Sequence, residues 1–116
     1  MCFIIDEKHP DKKIATKSIM CYKVLKMVDN KLRSPYQNFS YKLGRKYTSR
    51  LGKECGYINK GLHSFSSKEA ALYERDDWYA SKYIIFICKI PKGSEYYYNP
   101  TNQEYVSNQL IITKQL

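Results

Sequence analysis

Tyr83-Ile84-Ile85-Phe86-Ile87-Cys88-Lys89-Ile90, followed by Pro91-Lys92-Gly93, is the longest apolar run in this 116-residue chain. Nearly every position is apolar, so a strand built here needs cover on both faces and belongs in the middle of a sheet. Pro91 brings no amide proton to a ladder, and with Gly93 it ends the strand. Upstream, Ser66-Ser67-Lys68-Glu69 reads as a capping box: the Ser66 hydroxyl accepts from the Glu69 amide while the Glu69 carboxylate reaches back. Ala70-Ala71-Leu72-Tyr73 then carries a helix toward Trp78. Downstream, Asn99-Pro100-Thr101-Asn102 is a turn and Leu110–Thr113 a last strand.

Further out the signals weaken. Cys21–Val28 is apolar-rich and bounded by Asp29-Asn30, which predicts a strand, and Met1–Ile5 predicts a short one. His9-Pro10-Asp11-Lys12-Lys13 is a charged turn. Residues 31–61 keep no period and hold most of the glycines, apart from a brief alternation at Phe39–Leu43. The expected architecture is α+β in a single small domain, residues 1–116, with a mixed or antiparallel sheet of about five strands and one or two helices. Within it, a basic, aromatic-rich part (21–53) adjoins a helix and central-strand part (62–116).

The length suits one domain, and a 43% hydrophobic share is too high for a disordered tail. No apolar run approaches a membrane span of roughly 18–20 residues. The run Met1–Ile5 meets Asp6-Glu7 too early for a signal peptide. A soluble protein is expected, in the cytoplasm, or in the host cytoplasm if phage-encoded. Cys2, Cys21, Cys55 and Cys88 include no C-x-x-C pair, and His9 and His63 are isolated, so neither a zinc knuckle nor any other cofactor is expected. Cys21 and Cys88 lie inside strand-like runs and read as small buried hydrophobes carrying reduced thiols.

The chain carries 20 Lys+Arg against 11 Asp+Glu, a formal charge of +9. All of that excess falls within residues 1–53; residues 54–116 are neutral overall. Between Lys23 and Lys53 the cations alternate with Tyr22, Tyr36, Phe39, Tyr41 and Tyr47. Guanidinium and ammonium groups bind phosphate and aromatic faces stack on bases, so this mixture suits a nucleotide or a single strand. Arg33, Arg45, Lys46 and Arg50 are the expected phosphate contacts, and Tyr36, Phe39 and Tyr47 the stacking faces. His63 and Lys92, at loop ends that tend to line clefts, are second choices. The bland alternative is a solvated basic face with half-buried sheet tyrosines. Duplex DNA fits less well, because no helix-turn-helix, zinc finger or basic zipper pattern occurs and the secure helix carries mixed charge.

Gly61-Leu62-His63-Ser64-Phe65-Ser66, Ile90-Pro91-Lys92-Gly93-Ser94 and Tyr105–Ile112, taken in order, resemble segments of small phage and gut-bacterial proteins to which no activity is attached. The resemblance covers about residues 21–113. A more distant likeness is to the ADP-ribosyltransferase fold. Lys23 stands where that family has an early-strand Arg, Ser64-Phe65-Ser66 resembles its Ser-Thr-Ser element, and Asn108-Gln109 stand where its catalytic Glu opens the last strand. Without that carboxylate, the likeness implies a nucleotide-shaped cleft and no transferase chemistry, Glu104 lying upstream and aimed elsewhere.

The function expected is therefore non-enzymatic: a phage-type binder that sequesters a phosphate-bearing nucleotide, such as a cyclic nucleotide immune signal. Three alternatives stand beside it: a protein–protein inhibitor docking on an acidic host protein, a general nucleic-acid binder, and an ADP-ribosyltransferase-like enzyme using Glu104 or Glu95 with His63. The expected partners are a nucleotide or other anionic ligand, a host protein and a second copy of the chain, with no membrane. Tyr96-Tyr97-Tyr98 must alternate between sheet faces and reads as an oligomer contact or sheet surface.

Overall fold

The computed structural model describes residues 3–28, 31–33, 40–76 and 83–116. The apolar run forms β10 (Tyr83–Ile90), paired antiparallel along its whole length with β3 (Ile19–Val28), from Tyr83 opposite Lys26 to Ile90 opposite Ile19. On its other edge β10 pairs with β13 (Gln109–Gln115), so it is interior to the sheet, as its composition demands.

The pairing continues through short strands. β13 pairs with β6 (Lys46–Thr48). β3 forks on its second edge: Tyr22 pairs with β9 (Leu62–Phe65), and Lys26–Val28 pair with β4 (Lys31–Arg33), which holds β5 (Ser40–Tyr41). From β9 the order runs to β12 (Glu104–Ser107), β11 (Glu95–Asn99) and β2 (Lys13–Ile14). A separate three-stranded sheet has the order β1 (Phe3–Ile4), β8 (Tyr57–Lys60), β7 (Gly52–Glu54).

The expected α+β domain of about five strands is thus incorrect. Among the described residues the chain is mostly β, with ten strands in the large sheet and three in the small one. The described residues contain one helix, α1 (Lys68–Asp76). The strands missed are two to four residues long, and so short a strand shows no readable alternation. The cap of α1 also moves by one residue. Ser67 Oγ accepts from the Ala70 amide at 3.1 Å, while Ser66 meets Tyr98 Oη at 2.9 Å and Gln103 O instead.

Strand alternation divides the large sheet into two faces. One carries Cys21, Leu25, Phe86, Cys88, Ile90, Leu110, Ile112, Leu62 and Tyr47, which form the main core. The opposite face carries two smaller clusters. Val24 and Ile85 pack against Ala71 of α1, and Tyr97 and Val106 pack against Phe3 and Ile58 of the small sheet. Each fully buried Leu or Ile contributes about 1.5–3 kcal/mol. The basic part and the central-strand part are not separate units, since β3 and β10 come from one each.

Gly61 joins the two sheets. It sits between β8 and β9 at φ +153°, and a Cβ there would collide with Val106 Cγ2 and come within 2.9 Å of Leu51 Cδ2. Gly61→Ala is expected to destabilise the protein by about 1–3 kcal/mol, read as a lower urea midpoint. An unchanged midpoint would show that this junction yields without cost.

Candidate functional site

Asn108, between β12 and β13, clamps three segments together. Its amide donates to Glu95 O at 3.0 Å, and its side-chain Oδ1 accepts from the Glu95 amide at 2.8 Å. Its own carbonyl accepts from the Ser49 amide at 2.9 Å. The start of β11, the end of β12 and the chain leaving β6 are therefore held around one side chain. Asn disfavours strands and uses its amide to satisfy stray backbone groups, which is its role here.

Beside this clamp opens a cleft of about 710 Å³. Its apolar wall is Leu51 and Ile58, and its polar lining includes Thr48, Ser49, Asn108 and Gln109. Three cations, Lys12, Arg50 and Lys53, share it with the single carboxylate of Glu95. Lys12 Nζ lies 3.2 Å from Glu95 Oε2, so that pair is largely self-neutralised. Arg50 and Lys53 are exposed and, among the described residues, form no ion pair. Tyr97, buried in the small-sheet cluster, also lines it. Two cations without carboxylates at a concave, part-apolar surface favour an anion that carries an apolar or aromatic body.

Of the expected residues whose side chains the structure describes, Arg50 alone lines this cleft. Arg45 is exposed, with its guanidinium carbon 5.7 Å from the Tyr47 ring centroid. Lys46 is exposed on β6, and Tyr47 beside it is buried in the main core, where its hydroxyl accepts from the Lys42 amide at 2.5 Å. Tyr47 therefore offers no stacking face. Lys92 is exposed in the β10–β11 turn. Arg33 lies on β4, where its backbone pairs with Lys26 and Ser40. Tyr36 and Phe39 lie outside the described residues.

His63 occupies different ground. The register of β9 on β12 places Val106 opposite His63 and Phe65 opposite Glu104, so His63 and Glu104 are diagonal neighbours on one face. His63 Nδ1 lies 3.3 Å from Glu104 Oε2, with the side chains 24% and 11% exposed. Glu104, expected to point elsewhere, therefore meets the histidine. From the opposite face Lys23, itself buried, donates from Nζ to His63 O at 2.5 Å and lies 5.4 Å from the Tyr41 centroid.

No protein-family model, no curated protein and no solved structure matches this chain. The chemistry of the cleft is the ground for a functional reading. Lys53 closed the basic stretch read from the sequence without being singled out, and Lys12 lay outside it, some forty residues away, so only the fold brings them together. Asn108 had a faint one, an amide interrupting an otherwise strand-like ending.

The three consecutive tyrosines do alternate. Tyr97 joins the small-sheet cluster, while Tyr96 and Tyr98 stack with Tyr105 on the other face, at 5.8 and 4.7 Å between centroids. Burial, with the nearby Tyr98 hydroxyl adding to it, pushes the Tyr105 phenol up to about 12. A raised folded-state value means the unfolded chain loses this proton first. The stabilisation is complete below about pH 10 and fades as pH rises toward 12. Tyr105→Phe, with no proton to lose, is expected to show a shallower fall of its urea midpoint across that window than the parent protein. Parallel declines would place the alkaline sensitivity in other groups.

Proposed function

We propose that this protein binds a phosphate-bearing nucleotide in the cleft between β6, β11 and β13, without turning it over. The observation that carries this reading is the pair of cations, Arg50 and Lys53, standing without carboxylate partners among the described residues beside a part-apolar hollow. Phosphate oxygens take the charged donors, Arg50 offering the bidentate fork and Lys53 a point charge. The Asn108 amide supports the reading too. Its Oδ1 is committed to a backbone N–H, which leaves Nδ2 as a donor for a ligand oxygen. The volume of about 710 Å³ falls in the range of small-molecule sites. Sequestration of a cyclic nucleotide immune signal is the setting that the resemblance to phage proteins suggests, and the ligand class is the same.

The test is a thermal-shift panel of mono-, di- and cyclic nucleotides, followed by calorimetry on any that raise the melting temperature. Arg50→Ala and Lys53→Ala are each expected to weaken binding by about 1.5 kcal/mol, roughly tenfold in Kd. Arg45→Ala and Lys92→Ala, outside the cleft, are expected to leave it unchanged. Binding should weaken with added salt, since both cations are exposed. No shift with any nucleotide at millimolar concentration would end the proposal, as would parental affinity in the Arg50→Ala, Lys53→Ala double variant.

A further inference from the structure

We propose that Cys21 and Cys88 are a disulfide-forming pair, a site of covalent oxidation at the centre of the large sheet. The two residues are directly opposite in the β3–β10 ladder, their Sγ atoms are 3.1 Å apart, and both are fully buried. A disulfide needs about 2.05 Å between the sulfurs, so roughly 1 Å of closure separates the dithiol from the bond. Cys55, the other described cysteine, is exposed in the turn between β7 and β8 and belongs to the small sheet. Among the described cysteines, only Cys21 and Cys88 face each other.

The surroundings distinguish the two thiols. Ser64 Oγ is buried and meets no oxygen or nitrogen partner among the described residues. It lies beside Cys21, on the sheet face that also carries Lys23. A thiolate at Cys21 gives that hydroxyl an acceptor and lies in the field of the buried ammonium. The Cys21 thiol is accordingly held below its ordinary value, chiefly by the contact with Cys88, with Ser64 and Lys23 adding to it against the cost of burial. Burial pushes the Cys88 thiol well up. In the folded dithiol, Cys21 is therefore the sulfur better suited to carry a negative charge.

The oxidant is a small-molecule disulfide of the glutathione class. One of the two cysteines, as its thiolate, attacks one of its sulfurs, forming a mixed disulfide and expelling one thiolate. The other gives up its proton and attacks the protein sulfur of that mixed disulfide, expelling the second thiolate. Two protein thiols are oxidised, one disulfide is reduced to two thiols, and the protons pass to the released thiolates. Because both cysteines are buried, exchange proceeds while the chain folds or when β3 and β10 part. Closure joins residues 67 apart, a long loop whose constraint on the unfolded chain favours the folded state.

The test refolds the full chain from denaturant in a mixture of reduced and oxidised glutathione, then counts alkylated thiols by mass spectrometry. The expected product is a monomer with two fewer alkylatable thiols and a linked Cys21–Cys88 peptide. Its melting temperature should lie several degrees above that of the dithiol form, and reductant should reverse the change. Cys21→Ala and Cys88→Ala should each abolish the link. A Cys2→Ser, Cys55→Ser variant, with the core untouched, should still lose both remaining thiols. Four alkylatable thiols after refolding, a link to Cys2 or Cys55, or retention of both thiols in that variant would overturn the proposal.

Discussion

The pairing of β3 with β10 is the constraint on which the rest of the molecule depends. It fixes eight consecutive residue pairs, from Tyr83 with Lys26 to Ile90 with Ile19. In a two-residue repeat, a slip by one position would turn every side chain to the other face. Cys21, Leu25, Phe86, Cys88 and Ile90 would leave the main core, and Val24 and Ile85 would leave the helix. The register then decides what the short strands can join: β13 on one edge, and β9 and β4 on the other.

That central pair is also the part of the fold most legible in the sequence. Tyr83–Ile90 and Cys21–Val28 are long enough for composition to speak, and Pro91-Lys92-Gly93 closes the first as its chemistry requires. Strands such as Lys46–Thr48, Gly52–Glu54 and Leu62–Phe65 were not legible, and they outnumber the readable ones. In Gly-Lys-Glu nothing is apolar, and the segment is a strand only because Tyr57–Lys60 lies beside it. Local pattern therefore undercounted strands and gave the one helix too much weight in the fold. The helix itself was readable, and the choice between Ser66 and Ser67 as its cap was settled by Tyr98 and Gln103. These are distant residues: Tyr98 and the Gln103 carbonyl engage Ser66, while Ser67 donates to Gln103 Oε1 and accepts from the Ala70 amide.

The candidate site follows the same logic. A basic, aromatic stretch was visible in residues 23–53, but strand alternation scatters it. Tyr47 turns inward and Lys46 outward, and Lys23 is drawn into the interior to cap the His63 carbonyl and lie over Tyr41. An aromatic residue next to a cation in sequence is, on a strand, on the opposite face from it. Interleaving that suggests one stacking surface on paper thus puts each ring and its sequence neighbour's charge on opposite faces. Arg50 escapes because it follows β6, where Asn108 holds the departing chain across the end of the sheet and the alternation no longer applies.

The excess charge therefore has two fates. Much of it is dispersed over exposed positions such as Lys42, Arg45 and Lys46, where it raises the positive potential of the whole surface and speeds the approach of any anion. A small part, Arg50 and Lys53, is collected at a concave surface with Lys12 and Glu95 alongside. Long-range attraction is set by the first group and weakens with salt. In the proposed function, retention of the ligand falls to the second, where the donors converge. Selectivity among anions would then belong to the cleft and its Asn108 clamp. Net charge, the most conspicuous property of the sequence, governs how often an anion arrives and says little about which one stays.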